Sequence, residues 1–156
     1  MDKFAPMLKR ARERFEDAGN VSIHETDGES YLASCAPGSF DLAVFCRSWY
    51  TMADPAKAAA DLARALEPGG LALIYDFTRT TDIAAIDARN TADDPVRWPV
   101  CRTAMEEFNR GVEAGSYHLW SEAGMRELWK SAGAEVVAYE SYEPEMPNHR
   151  LCVRKR

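Results

Sequence analysis

Two apolar runs of strand length, joined through one helix, constrain the fold of this chain more than any other feature. Asp41 to Cys46 reads DLAVFC, and Leu71 to Tyr75 reads LALIY. Short runs with no polar alternation suit parallel strands buried on both faces. Asp54-Pro55 stands between them as an N-cap followed by proline at the first helical position. Ala58, Leu62 and Leu66 then share one face, which predicts a helix to about Leu66. Pro68-Gly69-Gly70 breaks it before the second run. Strand, helix and strand in this order predict an α/β sheet with helices on both faces.

The flanking segments extend the pattern. Met7, Leu8, Ala11 and Phe15 predict a helix over 6–18, stopped at Gly19. Val21 to Ile23 reads as a short strand and Glu25 to Glu29 as an acidic loop. The stretch 78–117 is polar, with one expected helix from Val100 to Arg110 and no strand. Ser121 caps a helix carrying Met125, Leu128 and Trp129, which stops at Gly133. Glu135 to Tyr142 and Arg150 to Arg154 read as strands with no helix between them, so they form an antiparallel hairpin turned at Pro144 and Pro147.

The totals narrow the function. A chain of 156 residues is one domain by size. A net charge of -6, with its basic residues mixed among acids, argues against nucleic acid as substrate. The longest apolar run is far short of a membrane span and the N-terminus is charged, so the cytoplasm is the expected compartment. Cys35, Cys46, Cys101 and Cys152 form no C-x-x-C pair and read as reduced thiols. His24, His118 and His149 lie far apart, and no metal site is expected.

From Phe40 to Phe77 the sequence resembles the central segment of small-molecule, type 11-like class I S-adenosylmethionine-dependent methyltransferases. Asp41 matches the acid that opens that family's fourth strand. Asp54-Pro55 matches its helix start, and Leu66-Glu67-Pro68-Gly69-Gly70 its helix end. Met7 to Arg12, Asp27-Gly28-Glu29 and the stretch from His118 to Val136 resemble its flanking segments. The resemblance implies a single Rossmann-like class I sheet over 1–156, ending in the antiparallel hairpin, with 79–117 inserted as a region covering the substrate. It also implies S-adenosylmethionine as cofactor and a small molecule as acceptor.

One family element has no counterpart in these residues. The Gly-x-Gly-x-Gly loop that ends the family's first strand lets backbone approach the methionine part of the cofactor. No such run occurs here, so the first two strands are expected to be absent and cofactor binding impaired.

By resemblance, Asp2 aligns with the acid that accepts the ribose hydroxyls; read alone, it is a frayed terminus. Asp27 aligns with the acceptor of the adenine amino group, Gly28 suiting close approach; read alone, it belongs to a solvated acidic loop. Arg47 to Tyr50 follow the first apolar strand at the carboxyl edge, where ligands bind in such sheets, which makes Arg47 a cofactor-binding candidate. Tyr50 either orients a nucleophile or lines an apolar pocket, and His118 and Asp76 are further candidates for a base.

Three readings remain open: a methyltransferase, an inactive relative acting as a binding or assembly subunit, and a piece of a longer reading frame. Without the first strand, Asp41 to Cys46 becomes an unblunted apolar edge. Either Val21 to Ile23 closes against it, giving five strands, or two copies pair as a homodimer. The dimer is the expectation, because three residues cannot cover the longer strand.

Overall fold

The computed structural model describes residues 1–142 and 147–156. In chain order it contains α1 (Ala5–Arg14), α2 (Gly28–Ser34), β1 (Phe40–Cys46), a 3-10 turn (Trp49–Thr51), α3 (Pro55–Ala65) and β2 (Leu66–Phe77). Then follow α4 (Ile83–Asp93), α5 (Trp98–Glu113), α6 (Glu122–Ser131), β3 (Ala134–Tyr142) and β4 (Asn148–Lys155). Among the described residues the sheet has four strands in the order β1-β2-β4-β3. β1 and β2 are parallel, while β4 runs antiparallel to both β2 and β3. Of the expected terminal turn, Pro144 lies outside the described residues.

The central unit forms as its residues dictate. The Asp54 carboxylate accepts the Lys57 amide at 3.0 Å and caps α3. β2 begins directly at Leu66, five residues before the expected start, because Leu66 already pairs with Phe40 across a register shift. Gly70 makes this approach feasible: a Cβ there would stand 2.9 Å from Glu67 O and 3.2 Å from Phe40 O. Ser121 caps α6 by accepting the Gly124 amide at 3.1 Å.

The core lies on one sheet face. Ala72 and Ile74 of β2 and Leu151 and Val153 of β4 pack with Leu32, Leu62, Met125 and Trp129 from α2, α3 and α6. The other face corrects the expectation of a strand buried on both sides. Leu42 and Val44 are 51% and 64% exposed, Leu73 is exposed beside them, and only Phe45 of β1 is buried. An apolar groove of about 480 Å³, lined by Val44, Leu73, Tyr75 and Cys152 among others, runs over this open face.

Four further expectations are corrected. Val21 to Ile23 is not a strand. Its neighbourhood offers only an isolated parallel bridge between Asp2 and Glu25, too little to sustain a ladder, so no fifth strand closes on β1. α1 ends at Arg14, short of Ala18. Glu16 and Asp17 would put negative charge at the helix C-terminus, the unfavourable end of the dipole. Asp27 to Glu29 is no loop, since Asp27 caps α2. The 78–117 stretch holds two helices rather than one; α4 is capped by Asp82, which accepts the Ala85 amide at 3.1 Å.

Candidate functional site

Where β1 ends, the chain turns sharply and builds a cavity wall. Arg47 takes a left-handed φ of 52°, and its amide donates to Tyr75 O at 2.7 Å. A side chain in that region costs about 1–2 kcal/mol. The turn carries the guanidinium over the rings of Tyr75 and Phe77, at 5.5 and 5.2 Å from their centroids. No anionic partner reaches it among the described residues. The Trp49–Thr51 turn then buries Trp49 in the core and leaves Tyr50 facing the cavity.

The cavity has a volume of about 620 Å³. Its walls are residues 1–4, the start of α2, and the segment from Phe45 to Ala53. Asp2, Asp27, Gly28, Arg47 and Tyr50 all line it, so five of the six residues picked from sequence meet at one place. The sixth, His118, is not on the wall. Its amide donates to Tyr50 O at 2.9 Å, which ties the end of the 78–117 stretch to the turn.

Each carboxylate of the wall already has partners. Asp27 accepts the Ser30 amide at 2.8 Å and the Ser30 hydroxyl at 2.7 Å, and these bonds hold its carboxyl below the usual range. Asp2 is held in place: its amide donates to His24 O, its carbonyl accepts the Thr26 amide, and its carboxylate accepts the Phe4 amide at 2.9 Å. Glu29, which sequence reasoning passed over, accepts the amides of Ala53 and Asp54 at 3.0 and 2.8 Å and joins α2 to the start of α3. The space beside Gly28 is taken by Met52, whose Cε would stand 3.1 Å from a Cβ. The glycine therefore serves packing here.

Tyr50 sits in an aromatic cluster with Phe77, Phe108 and Tyr117, at centroid distances of 5.5, 5.2 and 5.0 Å. Gly111 of α5 makes room for it, since a Cβ there would lie 2.3 Å from the Tyr117 ring. Burial, then the nearby Tyr117 and Asp76, push the Tyr50 phenol above its usual pKa. A phenol so shifted stays protonated at neutral pH and can donate a hydrogen bond; it is poorly suited to act as a base. Asp76, at the end of β2, is raised to about 6 by burial, against opposing backbone hydrogen bonds and Arg47.

A four-stranded mixed sheet with its cavity beyond the carboxyl end of β1 can be compared with known proteins. A family model described as a methyltransferase domain matches residues 1–74, just under half of the chain. A candidate sarcosine dimethylglycine methyltransferase from Galdieria sulphuraria superposes over 99% of this chain and 69% of its own, at a TM-score of 0.66 and 15% identity. The fold is that of the class I methyltransferases. A SAM-dependent methyltransferase from Methanosarcina mazei gives a TM-score of 0.62 at 14% identity, covering 99% of this chain and 79% of that one. The methyltransferase CalH, solved with S-adenosylhomocysteine, gives 0.67 at 15% identity over 99% of this chain and 42% of its own. No curated protein sequence matches the chain. The match over 1–74 and these superpositions agree on the fold, and no described helix is long and apolar enough to cross a membrane.

Proposed function

We propose that the cavity at the end of β1 is the cofactor and acceptor site of a methyltransferase acting on a small molecule, and that these 156 residues bind the cofactor weakly. One observation carries the reading. Residues chosen from separate parts of the sequence for their resemblance to cofactor contacts converge on a single cavity of about 620 Å³, a volume typical of small-molecule sites. Asp27 keeps lone pairs to accept an adenine amino group, and Arg47 has a guanidinium without an anionic partner. Both fit S-adenosylmethionine, which brings an activated methyl group. The protein's part is to align the acceptor. Tyr50 is the wall residue nearest the 79–117 region, since Phe108 and Tyr117 pack on its ring and His118 bonds its carbonyl, so the acceptor is proposed to enter on that side. The weakness follows from the missing glycine-rich loop.

A second reading is favoured by the carboxylates. Asp2 and Asp27 are both engaged in local hydrogen bonds, as they would be in an inactive relative serving as a binding or assembly subunit. The open sheet face and the unpaired edge of β1 support a homodimer formed through that edge. Four free cysteines suit a reducing cytoplasm.

Calorimetry with S-adenosylhomocysteine tests the affinity claim. Binding much weaker than low micromolar is expected. Low-micromolar binding would mean that the glycine-rich loop is dispensable in this chain.

A further inference from the structure

We propose that Asp76 is a positioning residue of the candidate site: its buried carboxylate grips the backbone of the Trp49–Thr51 turn and so fixes where Tyr50 stands on the cavity wall.

Asp76 is 2% exposed and is the only buried carboxylate among the described residues. Its Oδ2 accepts the Tyr50 amide at 2.8 Å and its Oδ1 accepts the Phe77 amide at 2.9 Å. The Trp49 amide also faces it. The carboxylate thus ties the last residues of β2 to a turn 26 positions earlier in sequence. The Tyr50 backbone is gripped on both sides, since its amide donates to Asp76 and its carbonyl accepts the His118 amide. Among the described residues no salt bridge stabilises the charge: Arg47 acts on it at a distance. A buried, unbridged carboxylate disfavours the ionised fold. Core packing alone would be better served by a neutral side chain, so its use as an amide clamp beside the cavity is what explains it.

The chemistry gives two trends of opposite sign. The folded-state pKa is raised from 3.8 to about 6. Its contribution to stability is therefore fully present below 3.8 and is lost as pH rises through about 6. The hydrogen bond to Tyr50 behaves the other way, because a carboxylate is the stronger acceptor and protonation weakens its grip. As pH falls, the fold gains from Asp76 while the turn loosens. A side chain that only packs would move both in the same direction.

Other titratable groups face this spot. Arg47 reaches it from the turn after β1, and Tyr50 from the 3-10 turn with Tyr117 behind it. His149 of β4 stands opposite Asp76 in the sheet register, with Tyr139 of β3 beside it. Burial pushes His149 below its usual pKa, so its own contribution to stability is lost as pH falls. The Asp76 effect is therefore read as the difference between the wild type and Asp76→Asn, with His149→Gln as a control.

The experiment is NMR on the full 156-residue chain without ligand, from pH 8 to pH 4.5, paired with urea unfolding. The proposal rests on the cavity being the ligand site, yet this measurement needs no ligand. Its failure removes the role of Asp76, whereas absent cofactor binding would remove only the site reading. The Asp76 carboxyl carbon and the amide protons of Tyr50 and Phe77 are expected to share one midpoint. Protection of the Tyr50 amide, corrected for intrinsic exchange, should fall several-fold below it. Over the same range the folding constant of the wild type should gain on Asp76→Asn by roughly thirtyfold. Asp76→Asn should also show loose Tyr50 protection at pH 8. A Tyr50 amide that does not follow the carboxyl, or protection that rises as pH falls, would overturn the proposal. The wild-type titration stands by itself if Asp76→Asn folds poorly.

Discussion

Arg47 and Asp27 show how single residues define this site. The left-handed backbone at Arg47 places a cation on the cavity wall, over the ring faces of Tyr75 and Phe77. Glycine should suit that backbone better than alanine: Arg47→Gly is expected to be more stable than Arg47→Ala by about 1 kcal/mol in urea unfolding. Equal stabilities would mean that the turn is not held left-handed in solution. Asp27 caps α2, and its proposed contact with the cofactor has to be separated from that cap. Asp27→Asn keeps an acceptor for the cap. Asp27→Ala should weaken S-adenosylhomocysteine binding by about tenfold or more, as loss of a charged hydrogen-bond partner does. An unchanged titration curve for that variant would place the adenine elsewhere.

At the scale of elements, the cover over Tyr50 depends on a small residue in a helix. Glycine inside a helix normally costs about 1 kcal/mol relative to alanine. Gly111→Ala should reverse that sign and destabilise the chain, because the added methyl would displace the Tyr117 ring. Near-UV circular dichroism should lose aromatic signal with it, and a stabilised variant with unchanged spectrum would mean that Tyr117 does not pack on α5. The elements legible in sequence were those whose residues carry several concordant signals. β1, α3 and β2 each combine an apolar run, an Asp-Pro start or a Pro-Gly-Gly stop. α2 was missed although Asp27 and Ser30 spell a cap, because the acidic run suggested solvated chain. α4 was missed because it shows a weak apolar stripe. Val21 to Ile23 has strand-forming side chains, but a strand needs a neighbour, and pairing is not a local property. Five residues picked through resemblance to a family line the cavity, and the sixth, His118, does not. The clamp formed by Asp76 depends on a contact 26 positions apart and was seen only as a candidate base.

For the whole molecule, the unresolved tension is the bare side of the sheet. Among the described residues β1 has an unpaired edge, and it exposes Leu42 and Val44 next to Leu73 of β2. Such an edge recruits another strand. Light scattering coupled to size exclusion at tens of micromolar is expected to give a dimer, and Val44→Lys a monomer. A clean wild-type monomer that binds no hydrophobic dye would contradict the pairing. The cavity and the open face meet at Cys46. The most direct test of the central claim is a titration of the labelled chain with S-adenosylhomocysteine up to millimolar concentration, followed by amide shifts. If the cavity at the end of β1 is the cofactor site, the shifts should centre on Asp2, Asp27, Gly28 and the segment from Arg47 to Tyr50, with weak affinity. No shifts at millimolar ligand, or shifts confined to the open face around Leu73 and Cys152, would contradict it.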